Sequence, residues 1–139
     1  MSLRPARRDP LTETKGTVLV IDDEDSVRQV AGEILKYLGY SVLAASSGQQ
    51  AVELLERGAR PDVALLDLIM PGMTGFQTLR ALRMVDPDLP VLITTGYADR
   101  GASESLVSEG ADGFVNKPYH MEVLAAQLEK TLQGSKRPK

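Results

Sequence analysis

Hydrophobic positions along this chain alternate between short continuous runs and longer segments with helical spacing. Mostly apolar runs lie at 18–21, 63–66, 91–94 and 113–116, and a further one lies at 41–45. Runs of this length are typical of buried parallel strands. Helical segments between successive strands indicate βαβ units built around a parallel sheet.

The segments between and after the strands predict five helices. These helices cover about 25–38, 48–57, 76–85, 100–109 and 119–132. Gly39 and Gly58 follow the first two helices, where glycine commonly ends a helix. The helix over 100–109 is the weakest of the five because it is short and rich in Ser and Gly.

These elements together predict the fold class. Crossovers between parallel strands are right-handed, and they predict an α/β fold with a doubly wound five-stranded parallel sheet. The expected strand order is 2-1-3-4-5 with five helices, a flavodoxin-like arrangement. A length of 139 residues fits one domain. We expect this domain over 16–133, between a flexible tail at 1–15 and a basic tail at 134–139.

Composition and charge exclude several classes of function. The chain has no cysteine, hence no disulfide or thiolate chemistry, and no apolar run long enough to span a membrane. Residues 17–133 hold nine basic and seventeen acidic residues, a net charge of −8. An acidic domain is a poor surface for nucleic acid. We therefore expect a cytoplasmic protein that binds neither nucleic acid nor membrane directly.

Polar side chains that could bind a ligand or take part in a reaction follow the predicted strands. Asp22 and Asp23 follow the first strand, Asp67 the third, Thr95 the fourth and Lys117 the fifth. In an open α/β sheet, ligands bind at the carboxyl ends of the strands, so these groups are expected at one edge. Three close carboxylates repel one another, and Mg²⁺ with its preference for oxygen ligands would relieve that repulsion.

This set of groups matches what phosphoryl transfer to an aspartate requires. A carboxylate such as Asp67 can act as a nucleophile and form an acyl phosphate. The hydroxyl of Thr95, the ammonium of Lys117 and a metal ion would neutralise the phosphoryl oxygens. Taken singly, the acids at 22–25 also fit a solvated turn in which Asp25 or Ser26 caps the next helix, and Lys117 fits an ordinary surface charge.

Four motifs of the chain resemble those of a known family. They are Ile-Asp-Asp-Glu at 21–24, Asp-Leu-Ile-Met-Pro-Gly-Met-Thr-Gly at 67–75, Thr-Thr-Gly-Tyr at 94–97 and Asn-Lys-Pro at 116–118. In order and spacing they are similar to the response-regulator receiver domain of two-component signalling, the CheY-like family. The resemblance spans about 17–132, and it is the combination of all four motifs that makes it specific.

The resemblance implies a phosphoacceptor and a metal site. By this likeness Asp67 receives a phosphoryl group from a sensor histidine kinase or a histidine phosphotransfer protein. The Mg²⁺ ligands would be Asp23, Asp67 and the backbone carbonyl of Ile69, with Asp22 contributing mainly through water. The domain would act as a signalling switch and not as an enzyme.

The resemblance also implies how the phosphoryl group is sensed. Thr95 and Lys117 would bind its oxygens, with help from the Gly96 amide, and Thr95 and Phe114 would form the switch. The output face would consist of the helix at 100–109, the fifth strand and the last helix. It would signal to a downstream partner or an attached domain, and it is compatible with a homodimer that forms on phosphorylation.

Two positions of the motifs bear on the lifetime of the phosphoryl group. Ile69 and Tyr97 correspond to residues that flank the path of attacking water in this family, and many fast-hydrolysing members carry polar residues there. A β-branched hydrophobe and an aromatic ring instead predict a phosphoryl group that lasts minutes or longer.

Other functions fit the same residues less well. A Mg²⁺-dependent phosphohydrolase with an aspartyl nucleophile commonly needs a second carboxylate two residues later, where this chain has Ile69. A flavin-binding module would place phosphate after the first strand, where the acids at 22–25 would repel it. A pseudo-receiver would lack the reactive side chains, which are present here. Both a free-standing relay protein and a receiver attached to a hybrid kinase or longer regulator fit the sequence.

Overall fold

The computed structural model describes residues 14–68, 70–96 and 110–134. Within these ranges, strands and helices alternate along the chain. The strands are β1 (Thr17–Ile21), β2 (Ser41–Ala45), β3 (Val63–Asp67), β4 (Val91–Thr95) and β5 (Gly113–Asn116). The helices are α1 (Asp25–Tyr37), α2 (Gly48–Glu56), α3 (Gly75–Val85) and α4 (Met121–Gln133).

The five strands form one parallel sheet in the order β2-β1-β3-β4-β5. This order confirms the predicted fold class. The register sets Ile21 of β1 beside Leu66 of β3, and Asp67 beside Thr94 of β4. The carboxyl ends of the central strands are therefore level, and the residues that follow them share one edge of the sheet.

Helices cover both faces of the sheet, and each face has its own hydrophobic layer. Alternate side chains of a strand point to opposite faces, so Leu19 and Ile21 pack on one side of β1 while Val18 and Val20 pack on the other. The first layer is completed by α2 and α3, and the second by α1 and α4. Each fully buried leucine or valine contributes roughly 1.5–3 kcal/mol relative to an exposed one.

The starts of α3 and α1 differ in how they are capped. At α3, the Thr74 hydroxyl accepts the Gln77 N–H at 3.0 Å and the Gln77 side chain accepts the Thr74 N–H at 2.9 Å, a capping box. At α1, the N-cap is Glu24, which makes no side-chain cap hydrogen bond. The expectation that Asp25 or Ser26 caps this helix is therefore wrong, because both lie inside its first turn.

A few boundaries differ from the predicted ones. The last helix begins at Met121 and not at 119, because His120 has an extended backbone and serves as its N-cap. The helix predicted over 100–109 lies outside the described residues, as does most of each predicted tail. The peptide bond between Lys117 and Pro118 is cis. No helix in the described ranges is both long and apolar enough to cross a membrane.

Candidate functional site

Three carboxylates meet where β1 and β3 end. Asp22 and Asp23 follow β1 directly and Asp67 is the last residue of β3, its neighbour in the sheet. Oxygen atoms of the three side chains all lie within 4.8 Å of one another. Asp22 and Asp67 are buried whereas Asp23 is exposed. The cluster is therefore closed on the protein side and open to solvent at Asp23.

Asp22 is held at four points. One oxygen of its carboxylate, Oδ2, accepts a hydrogen bond from the Lys117 ammonium at 2.8 Å, and Oδ1 accepts the Glu24 N–H at 3.0 Å. Its own N–H donates to the Ala45 carbonyl at 3.1 Å. Its carbonyl oxygen accepts Nη1 of Arg28 at 2.7 Å. These contacts offset the cost of burying a carboxylate that is only 1% exposed.

Lys117 joins two of the acids. Its Nζ lies 3.2 Å from Oδ1 of Asp67 in addition to its contact with Asp22. Burial lowers the pKa of this ammonium, but the hydrogen bond and the charge of Asp22, together with the charge of Asp67, outweigh burial and raise the pKa above its ordinary value. The ammonium is therefore protonated throughout the physiological range.

Thr95 and Phe114 lie on the neighbouring strands β4 and β5. Thr95 is buried, and its hydroxyl donates to the Gly96 carbonyl at 3.0 Å. Its carbonyl accepts the Lys117 N–H at 2.8 Å. Phe114 is half-buried, stands beside Ile93 in the register and packs on the layer that contains Ile93. Because Ile93 and Thr95 are two residues apart on β4, Thr95 and Phe114 share one face of the sheet.

An apolar cleft of about 410 Å³ opens beside Lys117. It runs between the first turns of α1 and the segment after β5, and its lining residues are Ser26, Val27, Val30, Lys117, Pro118 and Tyr119. Val30 is half exposed. The cleft therefore offers hydrophobic surface to solvent close to the three carboxylates.

Tyr119 carries a phenol into this region. Burial raises its pKa, an effect that the Thr94 hydroxyl and the Lys117 ammonium partly oppose. Thr94 is buried, and no group in the described part of the chain meets hydrogen-bond geometry with its hydroxyl. The two hydroxyls are thus close enough to interact without forming a regular hydrogen bond.

Two residues named from the sequence lie outside the described ranges. They are Ile69, whose carbonyl is an expected metal ligand, and Tyr97, which is expected to shield the phosphoryl group. The other predicted metal- and phosphoryl-binding residues lie at the carboxyl edge of the sheet, and Phe114 lies within β5 beside Ile93. A cluster of hard carboxylate oxygens with one solvent-facing side suits Mg²⁺, which retains several waters and takes few protein ligands.

The sequence matches a known family model. The model of the response regulator receiver domain matches residues 18–129. The chain belongs to the receiver domain family. Receiver domains of this family serve two-component signalling, which agrees with the sheet order and with the four motifs.

The curated relatives include longer proteins of several kinds. It is 36% identical over 118 residues to a cyclic di-GMP phosphodiesterase of Thermotoga maritima, covering 85% of this chain and 31% of that protein. It is 36% identical to the sensor kinase CckA of Brucella abortus, covering 84% of this chain and 12% of that kinase. It is 34% identical to the response regulator MprA of Mycobacterium leprae, covering 86% of this chain and 52% of that regulator. The receiver thus spans about half or less of each of these relatives.

Solved structures agree with the fold. A response regulator receiver domain protein from Clostridium thermocellum matches with a TM-score of 0.78 and 29% identity, over 84% of this chain and 94% of that one. Full-length FixJ from B. japonicum matches with a TM-score of 0.81 and 27% identity, over 88% of this chain and 60% of that one. The fold of this receiver therefore occurs both alone and within longer regulators.

Sequence reasoning overlooked two residues of the receiver site. Arg28 contacts the Asp22 carbonyl, and Tyr119 lies beside Thr94 and Lys117. The sequence did indicate a partner for Arg28, because a basic residue three positions after an acidic one on a helix can form an ion pair with it. In the structure Arg28 forms this ion pair with Asp25. Its reach back to Asp22 depends on the path of the β1–α1 turn, which no local pattern encodes.

Proposed function

We propose that this receiver accepts a phosphoryl group on Asp67 from a sensor histidine kinase or a histidine phosphotransfer protein. The observation that carries the proposal is the Lys117 ammonium, which bridges the buried carboxylates of Asp22 and Asp67. A cation already in contact with the acceptor is in position to contact the incoming phosphoryl oxygens. The ion pair also restrains the Asp67 carboxylate, and a restrained nucleophile favours in-line transfer.

The three carboxylates are the proposed holders of Mg²⁺. Asp23 is exposed at the open side of the cluster and would bind the ion directly together with Asp67. Both oxygens of Asp22 already accept hydrogen bonds, so Asp22 would contribute mainly through water. The expected carbonyl ligand from Ile69 completes the set. When bound, the ion supplies positive charge that neutralises the phosphoryl oxygens during transfer.

The transfer itself is a displacement at phosphorus. An oxygen of the Asp67 carboxylate attacks the phosphorus of a phosphohistidine. The phosphorus–nitrogen bond breaks and its electron pair goes to the imidazole, which is the leaving group. An acyl phosphate is thereby formed on Asp67. Lys117 stays protonated because its carboxylate partners raise its pKa. Its ammonium would then turn from the Asp67 carboxylate to an oxygen of the phosphoryl group.

The same proposal includes a switch at Thr95 and Phe114. The Thr95 hydroxyl now donates to the Gly96 carbonyl, and it would rotate to donate to a phosphoryl oxygen instead. Phe114 shares its face of the sheet and is half-buried, so it can move into space that Thr95 vacates. A bistable pair of this kind requires a bias of only a few kcal/mol.

The signal would leave through β5, α4 and the segment at 100–109. Within the described residues this face has exposed apolar side chains, since Met121 and Val123 of α4 are 39% and 56% exposed. A downstream protein, an attached domain or a second phosphorylated copy is the proposed partner of this face. Relatives such as MprA and CckA are longer proteins, which supports an attached output without deciding it for this chain.

The phosphodonor protein is proposed to dock at the apolar cleft beside Lys117. A donor histidine must approach Asp67 from the solvent side, and the cleft flanks that approach with Val27 and Val30 of α1. Its hydrophobic lining suits the apolar face of a helix that presents the histidine. A small donor such as acetyl phosphate needs no such surface.

Intact mass after incubation with acetyl phosphate and Mg²⁺ tests the assignment. We expect one added phosphoryl group on the wild type, none after EDTA treatment, and none on Asp67→Asn. Glu24→Gln, which removes a neighbouring exposed acid, should be phosphorylated like the wild type. Steady release of phosphate over many turnovers would indicate a hydrolase instead. The absence of any adduct on a folded, Mg²⁺-binding wild type would indicate a pseudo-receiver.

A further inference from the structure

The Arg28 guanidinium makes two contacts with the acidic residues that follow β1. Its Nη1 donates to the Asp22 carbonyl oxygen at 2.7 Å. Its Nη2 forms a close ion pair with Oδ1 of Asp25. The backbone N–H of Arg28 also donates to the Glu24 carbonyl at 2.9 Å, near the start of α1. Arg28 therefore ties the turn to the helix at Asp22 and Glu24, whereas its ion pair with Asp25 lies within the helix.

The two guanidinium contacts are of unequal weight. The Asp25 side chain is 91% exposed, so its ion pair is screened by water and salt. The Arg28 side chain is only 20% exposed. Its bond to the Asp22 carbonyl therefore lies in a region of lower dielectric, where a charge-assisted hydrogen bond is stronger. The contact with the carbonyl is the one expected to hold the turn.

The carbonyl that Arg28 holds belongs to the peptide joining Asp22 to Asp23. The orientation of this peptide sets the direction in which Asp23 leaves the end of β1. Among the described residues, no hydrogen bond or ion pair restrains the Asp23 carboxylate. The position of that carboxylate near Asp67 therefore depends on the backbone, which Arg28 fixes on one side and the Ala45 carbonyl on the other.

We propose that Arg28 is a positioning residue for the metal site, which it orders by holding the Asp22 carbonyl so that Asp23 faces Asp67. This inference rests on the proposed function, since it concerns the Mg²⁺ that assists phosphorylation of Asp67. The positive charge of Arg28 alone would act in the opposite direction, because a cation near the cluster repels Mg²⁺. The two effects predict opposite changes in affinity when the guanidinium is removed.

Calorimetric titration with Mg²⁺ separates these effects. We expect Arg28→Gln to raise the Mg²⁺ dissociation constant about 10-fold, the size of change typical when a residue that orients a metal ligand is lost. Arg28→Lys keeps the charge, but its ammonium ends a shorter side chain that lacks the Nη1 group in contact with the Asp22 carbonyl, so it should weaken binding similarly. Phosphorylation by acetyl phosphate should approach the wild-type rate at saturating Mg²⁺, because the chemical groups at Asp67 are unchanged.

Two variants serve as matched controls. Lys36→Gln removes one positive charge from the last turn of the same helix and should leave Mg²⁺ affinity near that of the wild type. Asp25→Asn removes the exposed ion pair but retains the bond to the Asp22 carbonyl, and it too should bind Mg²⁺ nearly as the wild type does. Circular dichroism melting of each variant reports whether the fold is retained.

Several outcomes would overturn the proposal. Tighter Mg²⁺ binding in Arg28→Gln, with wild-type affinity in Arg28→Lys, would show that Arg28 acts only through its charge. An equal loss in Asp25→Asn would show that the ion pair matters and not the carbonyl contact. If Arg28→Gln is unfolded, wild-type affinity in folded Arg28→Lys is sufficient to reject positioning. A wild type that neither binds Mg²⁺ nor takes up phosphoryl would instead refute the proposed function itself.

Discussion

The Lys117 ammonium lies 2.8 Å from Oδ2 of Asp22, although β3 and β4 separate their strands in the sheet. The same ammonium contacts Asp67 at 3.2 Å, so its side chain extends across the edge of the two intervening strands. A carboxylate that is almost fully buried depends on such a partner, because burying an unpaired charge is costly. This contact links the stability of the site to its chemistry.

Removal of Lys117 should reveal that dependence. Without Mg²⁺, Lys117→Ala should lower the free energy of unfolding by about 2 kcal/mol, less than the roughly 3–5 kcal/mol seen for fully buried pairs because the lysine is partly exposed. Urea unfolding with and without Mg²⁺ measures this change. Mg²⁺ should bind at least as well as in the wild type, while phosphorylation and the response to it fall much further.

The control for this experiment is Lys130→Ala, which removes an exposed lysine from α4. It should change the unfolding free energy by no more than about 0.5 kcal/mol. Equal stability of Lys117→Ala and the wild type in the absence of Mg²⁺ would contradict the role assigned to the ion pair.

Asp23 should contribute to metal affinity without contributing to stability. Its carboxylate is exposed and stands near two others, so Asp23→Asn removes repulsion and should leave the melting temperature unchanged or slightly higher. We expect its Mg²⁺ dissociation constant to rise about 10-fold or more, measured by calorimetry. Glu24→Gln, the same change one residue later, should have little effect. Similar losses in both variants would indicate diffuse charge and not a ligand.

The apolar cleft should matter for a protein donor only. Val30→Glu places a charge on the exposed wall of the cleft. We expect it to slow phosphoryl transfer at least about 10-fold from any histidine kinase that phosphorylates the wild type, since about 1.4 kcal/mol of lost binding has that effect. Transfer from acetyl phosphate should be unaffected.

The matched control for the cleft is Val123→Glu, the same substitution at an exposed position on α4. It should leave transfer from both donors near the wild-type rate. If Val30→Glu slows acetyl phosphate as much as it slows the kinase, the substitution disturbs the site and the cleft is not a docking surface.

Alkaline pH should destabilise the fold through buried phenols. Burial and the nearby Glu129 carboxylate raise the pKa of Tyr40 above its ordinary value of 10.0. Because the folded-state pKa exceeds the unfolded one, the stabilisation from the neutral phenol is complete below about pH 10 and is lost as the pH rises through the folded-state pKa. The pKa values of Tyr119 and Lys117 are raised as well, so they act in the same direction.

Unfolding free energies measured across this range check the prediction. Tyr40→Phe should lose stability less steeply than the wild type above about pH 10, and the difference between the two proteins should be constant between about pH 7 and 9. Tyr37→Phe is the control, because the Tyr37 side chain is 78% exposed. Parallel curves for Tyr40→Phe and the wild type above pH 10 would refute the assignment to Tyr40.

The sequence by itself determined the architecture of this receiver and the edge at which its chemistry lies. Apolar runs and helical spacing are local patterns repeated along the chain, and they predicted the sheet order that the structure confirms. Residues directly after a strand must lie at its carboxyl end. Asp22, Asp67 and Lys117 were therefore assigned to one edge without knowledge of any distance.

Tertiary structure alone decided which atoms meet at that edge. The pairing of Lys117 with Asp22 and the contact of Arg28 with the Asp22 carbonyl were not predictable from spacing. Such contacts depend on side-chain rotamers and on the path of a turn, which are selected by the packing of several elements at once. Hydrophobic periodicity records which face a residue takes, whereas the distance between two side-chain tips is determined only when the whole fold is assembled.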